Sequence, residues 1–285
     1  MRNFSFTTIV FGLICLSLTS LRASPEDDFV TAAERGELET VKTALKSGMS
    51  INARRSDGDT ALMVSVREGQ SDVARYLIEK NADLNIQKEN GFCALSAAAS
   101  NNRLEILKLL LQKGALVKGP RAPKIVGVLG AYHGGHHDAL ELLLKSGASP
   151  EEETFVGHTA LIFASGKGDV KSIRLLLKYK ANPNNGDFRN STALHDAASL
   201  ESSESLALLL AAGGNPNAQD EDGITPLMEA VKSKKIENVR LLMRAGANPS
   251  LKDKNGEDAL AKAGDSNEIK TILNAKADSS KATRN

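Results

Sequence analysis

The chain has 285 residues, of which 41% are hydrophobic, enough for a large buried core and inconsistent with a disordered polymer. Tryptophan is absent and aromatics make up only 4%, so helices packed through Ala and Leu are expected in place of aromatic-rich β-sheet. Basic residues (36) nearly balance acidic ones (35) and alternate with them along the chain, which argues against a nucleic-acid-binding face.

The first residues differ from the rest. Arg2 precedes a largely apolar run from Ile9 to Leu18, and Leu21-Arg22-Ala23 offers a small residue at a cleavage point before Ser24. Residues 1–23 therefore read as a signal peptide, and the protein is expected to be exported, either periplasmic or secreted. The apolar run falls short of the ~20 residues that span a bilayer, so no stable membrane span is expected after cleavage. Loss of Arg2 and Arg22 changes the formal net charge from +1 to −1. Ile14 before Cys15 is a poor match to the small residue that bacterial lipoprotein signals place there. Cys93 then remains as the sole mature cysteine, so no internal disulfide is expected and packing alone must hold the fold.

From there on the sequence repeats with a period of 33. Gly48, Asn81, Gly114, Gly147, Lys180, Gly213 and Gly246 form one column at that spacing, and Gly58, Gly91, Lys124, Gly157, Asn190, Gly223 and Gly256 form a second. Two residues after the second column come Thr60, Cys93, Val126, Thr159, Thr192, Thr225 and Asp258. A Leu column (Leu62, Leu95, Val128, Leu161, Leu194, Leu227, Leu260) and a small-residue column (Ser65, Ala98, Ala131, Ala164, Ala197, Ala230, Ala263) keep the same register. The glycines suit turns that need positive φ, and the threonines suit helix N-caps, with Pro226 at a first helical position. The small column lets one helix approach its neighbours. Pairs such as Leu109-Leu110, Leu143-Leu144, Leu176-Leu177 and Leu241-Leu242 supply the apolar stripe of a second. Each unit is thus predicted to be turn, short helix, turn, longer helix, too small to be stable without stacking.

Asp222-Gly223-Ile224-Thr225-Pro226-Leu227, Ser191-Thr192-Ala193-Leu194-His195-Asp196-Ala197-Ala198 and Gly246-Ala247-Asn248-Pro249 closely resemble the ankyrin repeat. The resemblance implies an all-α ankyrin-repeat solenoid of helix-turn-helix units with short hairpin-like turns over residues 24–277. It would comprise an N-cap unit, about six full repeats and a shortened C-cap unit, followed by a polar tail at 278–285. It also implies a monomeric scaffold that binds a protein partner through a concave face made by hairpin tips and first helices, with no cofactor and no enzymatic activity. His195 matches the family's structural histidine, which bonds neighbouring backbone.

The third complete unit departs most. Pro120 and Pro123 stand where a hairpin would need their amides, so its tip is expected to be distorted. Lys180 replaces a stopping glycine, which should cost about 1 kcal/mol if the left-handed conformation is kept.

No Gly-x-Ser-x-Gly, P-loop or His-Glu-x-x-His motif is present, Cys93 reads as a small core residue, and Glu151-Glu152-Glu153 reads as a solvated charge run in a turn. His133, His136 and His137 cluster in sequence, with His158 a repeat further on, and suggest a rival role as a metal or haem carrier or an accessory protein supporting an exported enzyme. No Cys or carboxylate completes an obvious ligand set around them. The positions that the repeat does not need are more informative. The register places Phe92, Ile125, His158 and Ile224 in one tip column and Phe155 and Phe188 in another, with Val156 beside them and His133 on the adjacent helix. A partner-binding patch centred on Phe92, Phe155 and Phe188 follows, unless these rings fold back to seal the stack.

Overall fold

The threonine column starts helices by supplying an acceptor where the helix itself has none. Thr60, Thr159 and Thr225 accept hydrogen bonds from the amides of Met63, Ile162 and Met228 at 3.3, 3.4 and 3.2 Å, and Asp258 does so for Ala261 at 2.9 Å. Where the cap is Thr192 or Cys93, the third helical residue reaches back: the Thr192 amide donates to His195 Nδ1 at 3.1 Å and the Cys93 amide to Ser96 Oγ at 2.9 Å.

A computed structural model describes residues 24–118 and 127–282. Its sixteen helices fall into eight pairs. In chain order they are α1 (Pro25–Glu34) and α2 (Leu38–Lys46), α3 (Ala61–Glu68) and α4 (Ser71–Glu79), α5 (Ala94–Ser100) and α6 (Leu104–Gln112), α7 (Val128–His133) and α8 (His137–Lys145). Then come α9 (Ala160–Lys167) and α10 (Val170–Lys178), α11 (Ala193–Ala198) and α12 (Glu204–Ala211), α13 (Pro226–Lys232) and α14 (Ile236–Arg244), α15 (Ala259–Lys262) and α16 (Asn267–Ala282). The described residues contain no strand, only isolated antiparallel bridges such as Glu153 with Thr159 and Gly186 with Thr192. The fold is an all-α repeat solenoid.

Consecutive first helices pack on one another, as do most consecutive second helices. The small column is the seam between the first helices: Ser65, Ala98, Ala131, Ala164, Ala197 and Ala230 are all 0% exposed. Between the second helices, Leu77, Leu110, Leu143, Leu176, Leu209 and Leu242 are equally buried. Neither helix of a pair could hide such a face alone.

Polar side chains tie the turns of neighbouring units together. Asn52, Asn85, Asn184 and Asn217 recur at multiples of 33, and each accepts from a backbone amide of the next unit at 2.7 to 2.9 Å. Glu151 stands in that column and does the same for Asn182 at 2.8 Å. The hairpins are joined as well: the amides of Phe188, Glu221 and Lys254 donate to the carbonyls of Val156, Arg189 and Asp222 at 3.1, 2.7 and 2.8 Å.

The column that stops the second helices is left-handed throughout, from φ 62 at Asn81 to φ 95 at Gly246. Lys180 conforms at φ 69, so this unit retains the strain that a lysine carries there.

The fourth unit of the stack solves a different problem. Residues 119–126, and with them Pro120, Pro123, Ile125 and Val126, lie outside the described residues, as do residues 1–23. Helix α7 follows Gly127, which is left-handed at φ 102; an added Cβ there would lie 2.8 Å from Ala99 Cβ and 2.9 Å from Ser96 Cα. Among the described residues no side chain of its own unit caps this helix. The carboxylate of Glu152, from the next unit, instead accepts from the amides of Gly127, Val128 and Leu129 at 3.1, 3.2 and 3.1 Å. The acidic run is therefore not a solvated turn: Glu151 and Glu152 each hold backbone of a neighbouring unit.

Unit six carries a second irregularity. Its first helix has only six residues, and Glu201 does not take the left-handed turn found at Gly168 and Lys234. The buried Asn238 of the next unit bonds the displaced carbonyls of Ala198 and Leu200 at 3.0 and 2.8 Å. At the C-terminus α16 runs on to Ala282, so the segment expected as a tail from Asp278 begins as helix.

Two substitutions report on these local solutions. Lys180→Gly should raise stability by about 1 kcal/mol in urea titration, since glycine adopts φ 69 without a Cβ clash. Glu152→Ala should lower it by about 1–2 kcal/mol, because three amides at the start of α7 lose their acceptor.

Candidate partner-binding surface

The hairpin turns of the last four units are each closed by a side chain one repeat from the next. Thr154 Oγ1 accepts from the amides of Val156 and His158, and Asp187 Oδ1 from those of Arg189 and Ser191. Asp220 and Asp253 repeat the arrangement further on. These clamps present the residues at each tip outward. Phe155 is 91% exposed, Phe188 68% and Val156 39%. Phe188 sits close over its neighbour, since a Cβ on Gly157 would meet its Cδ1 at 2.7 Å.

The predicted patch changes in one respect. Phe92 does not stand out with Phe155 and Phe188; it is partly buried and packs against the core, and Ile224 does the same. Both directly precede a buried capping residue, Cys93 or Thr225, on the returning arm of the hairpin, which directs the side chain under the turn. The other column lies at the apex. Ile125 lies outside the described residues.

His158 shares the column of Phe92 and is also partly buried. Its Nε2 lies 3.0 Å from Asp187 Oδ2. Its ring meets Phe163 edge-on at 5.1 Å between centroids, and His133 meets the same phenylalanine at 4.6 Å. Tyr132 stacks on Phe163 at 6.4 Å between centroids, and Lys167 Nζ lies over the Tyr132 ring, 5.6 Å from its centre. Burial, with Asp169 nearby, pushes the Tyr132 hydroxyl up to about 12. Burial and the Lys167 charge hold the His133 imidazole below its ordinary value.

The three clustered histidines face different neighbours. His133 packs on Phe163, His136 lies beside Gly134, and His137 Nε2 is 3.9 Å from Asp169 Oδ2. Among the described residues no group of three or more His, Cys, Asp or Glu side chains is arranged to hold a metal ion. His195 takes the structural role that the resemblance implies, with Nε2 at 3.0 Å from the Ile224 carbonyl.

Phe163 belongs to a groove-facing column that single-residue reasoning overlooks: Phe163, Asp196, Glu229 and Lys262 stand 33 apart on successive first helices. Lys262 is paired with Asp253 and Glu257. Among the described residues the side-chain carboxylates of Asp196 and Glu229 have no hydrogen-bond or ion-pair partner. Burial pushes the Asp196 carboxyl up to about 6; His158 opposes the rise, and Asp187 and Glu229 add to it. The neighbouring groove, of about 700 Å³, is lined by Asp187, Asp220, Glu229, Lys232 and Asp253 among others.

The family model for ankyrin repeats, in three copies, matches residues 29–119, 128–220 and 202–282. The chain belongs to the ankyrin-repeat family. No curated protein matches it. Ankyrin repeats generally mediate protein–protein interaction, and ankyrin-repeat proteins are typically non-enzymatic scaffolds. In this ankyrin chain the exposed aromatics and the unpaired carboxylates lie on units five to seven. No helix among the described residues is long and apolar enough to cross a membrane.

Asp196 gives the surface a pH signature. Its native carboxyl keeps its proton to higher pH than an unfolded aspartate, so the native chain binds more protons between about pH 4 and 6 and loses stability as pH rises through that window. Asp196→Asn should therefore be more stable than the parent near neutral pH, by up to about 3 kcal/mol, and converge with it in acid. Thermal melts across pH measure the difference.

Proposed function

We propose that the protein is an exported ankyrin-repeat scaffold that binds a protein partner, as a monomer and without chemistry of its own, through the tips and first helices of its middle units. The observation that carries this reading is the exposure of Phe155 and Phe188, at 91% and 68%, on adjacent tips. Large apolar side chains displayed side by side on a rigid frame are costly to leave in water and are typical interface anchors. Val156 extends the patch, His133 and His158 border it, and Ile125 shares the tip column of His158. Export is supported by the N-terminal sequence and by Ser24, whose hydroxyl caps α1 through the Asp27 amide at 3.0 Å; cleavage before Ser24 leaves that cap intact.

Replacing Phe155 and Phe188 together by Ser should leave the circular dichroism spectrum and melting temperature nearly unchanged. It should abolish recovery of the partner from an exported extract, at a cost of about 2 kcal/mol or more per ring. Undiminished recovery by the folded variant would refute the assignment. Phe92→Ser should behave in the opposite way, lowering stability by about 1–3 kcal/mol because its ring is packed on the core. N-terminal sequencing of the mature protein should begin at Ser24.

A further inference from the structure

Charge along the solenoid is sorted. The position that opens each hairpin is Arg55 and Lys88 in the early units, Thr154 in the fifth, and Asp187, Asp220 and Asp253 in the last three. The early cations are already satisfied. Arg55 is held by Glu34, Asp57 and Asp59, and Lys88 lies 3.0 Å from the buried Asp59 carboxylate. The later half is different. Among the described residues Asp187 has His158 as its only ionic partner, Asp220 uses Oδ1 for its own turn, and the side-chain carboxylates of Asp196 and Glu229 form no hydrogen bond or ion pair. Arg189, Lys254 and Lys262 also line this groove but are taken up by Glu221, Asp222, Asp253 and Glu257; among the described residues Lys232, exposed beside them, forms no ion pair, and the Asp220 and Glu229 carboxylates have no cation of their own. One repeat toward the N-terminus from Asp196 the column is apolar, at the half-buried Phe163, and the tips of that unit and the next carry Phe155 and Phe188.

Resting on the reading above, we propose that this surface receives a partner segment in which an apolar side chain is accompanied by lysine or arginine, the apolar group seated against Phe155 and Phe188 and the cation against Asp196 and Glu229. A half-buried carboxylate without a partner raises the free energy of the unbound protein. A guanidinium or ammonium brought by the ligand supplies the missing counter-charge in a partly desolvated groove, where such a pair is stronger than on an open surface. The geometry also sets a direction: the basic residue lies toward α13 and the apolar residue toward α9.

The test is selection of short random peptides displayed on phage against the immobilised mature chain, in parallel with Asp196→Asn/Glu229→Gln and Phe155→Ser/Phe188→Ser variants whose folding is verified by circular dichroism. The parent should enrich peptides that combine an apolar residue with Lys or Arg. The carboxylate variant should bind those peptides about tenfold more weakly and lose the preference for basic residues while still enriching apolar ones. The phenylalanine variant should enrich none of them. Enrichment of neutral or acidic sequences, an unchanged basic preference in the carboxylate variant, or no enrichment over bare resin overturns the inference. In the first two cases the binding surface itself stands so long as capture still depends on Phe155 and Phe188. Equal capture by the phenylalanine variant overturns the surface as well. Sedimentation showing a dimer of the parent that the phenylalanine variant loses would assign the surface to a second copy and reject a basic segment.

Discussion

The close approach of successive first helices is the constraint on which everything else depends. With Ala at nearly every seam position and no exposed area left there, one helix lies directly on the next, and any larger side chain would have to push the units apart. That spacing carries the hairpins with it. It brings the Phe188 amide within reach of the Val156 carbonyl, and an amide of the following unit within reach of Asn52, Asn85, Glu151, Asn184 or Asn217 in the turn before. The tips are therefore held by backbone and side-chain bonds from below and from the side, which is what a surface needs if it is to recognise without first being ordered.

Stability is not spread evenly over this frame. Lys180 keeps a left-handed backbone at the end of unit five, α11 in unit six is cut short and braced by Asn238, and Asp196 carries a carboxyl that burial disfavours in its charged form. These features lie in the units that also display Phe155 and Phe188. Departures from the best local choice that gather beside exposed apolar groups are the pattern expected where selection has acted on recognition at the expense of folding.

The architecture was legible because a strict period leaves little freedom. Once Thr60, Ala98 and Gly114 are known to recur, the helix starts, the seam and the stops follow, and the structure places them there. The tips were legible only in part. Phe92 and Phe155 look alike as residues, but the few positions that separate them along a hairpin decide whether a ring is tucked under the turn or stands at its apex. Asp196 was hidden for a different reason: its meaning comes from Phe163 and Glu229, each a whole repeat away, and from the lack of a counter-charge, which no local pattern records. Glu152 was misread because a carboxylate in a turn looks solvated until the three amides it serves, in another unit, are seen.

That last bond also orders events in time. Every other described first helix of the stack from α3 onward is capped by a residue of its own unit, so its first turn is satisfied once that unit is made and stacks on the one before. Helix α7 cannot: its acceptor belongs to Glu152, which a ribosome reaches only after the whole of α8 has been synthesised. The first three units can therefore stack while the fourth waits, and the join between the two halves of the solenoid closes from the C-terminal side. A chain interrupted between α8 and Glu152 would hold a formed N-terminal stack and an unfinished middle, so production of the C-terminal half is what completes the half before it.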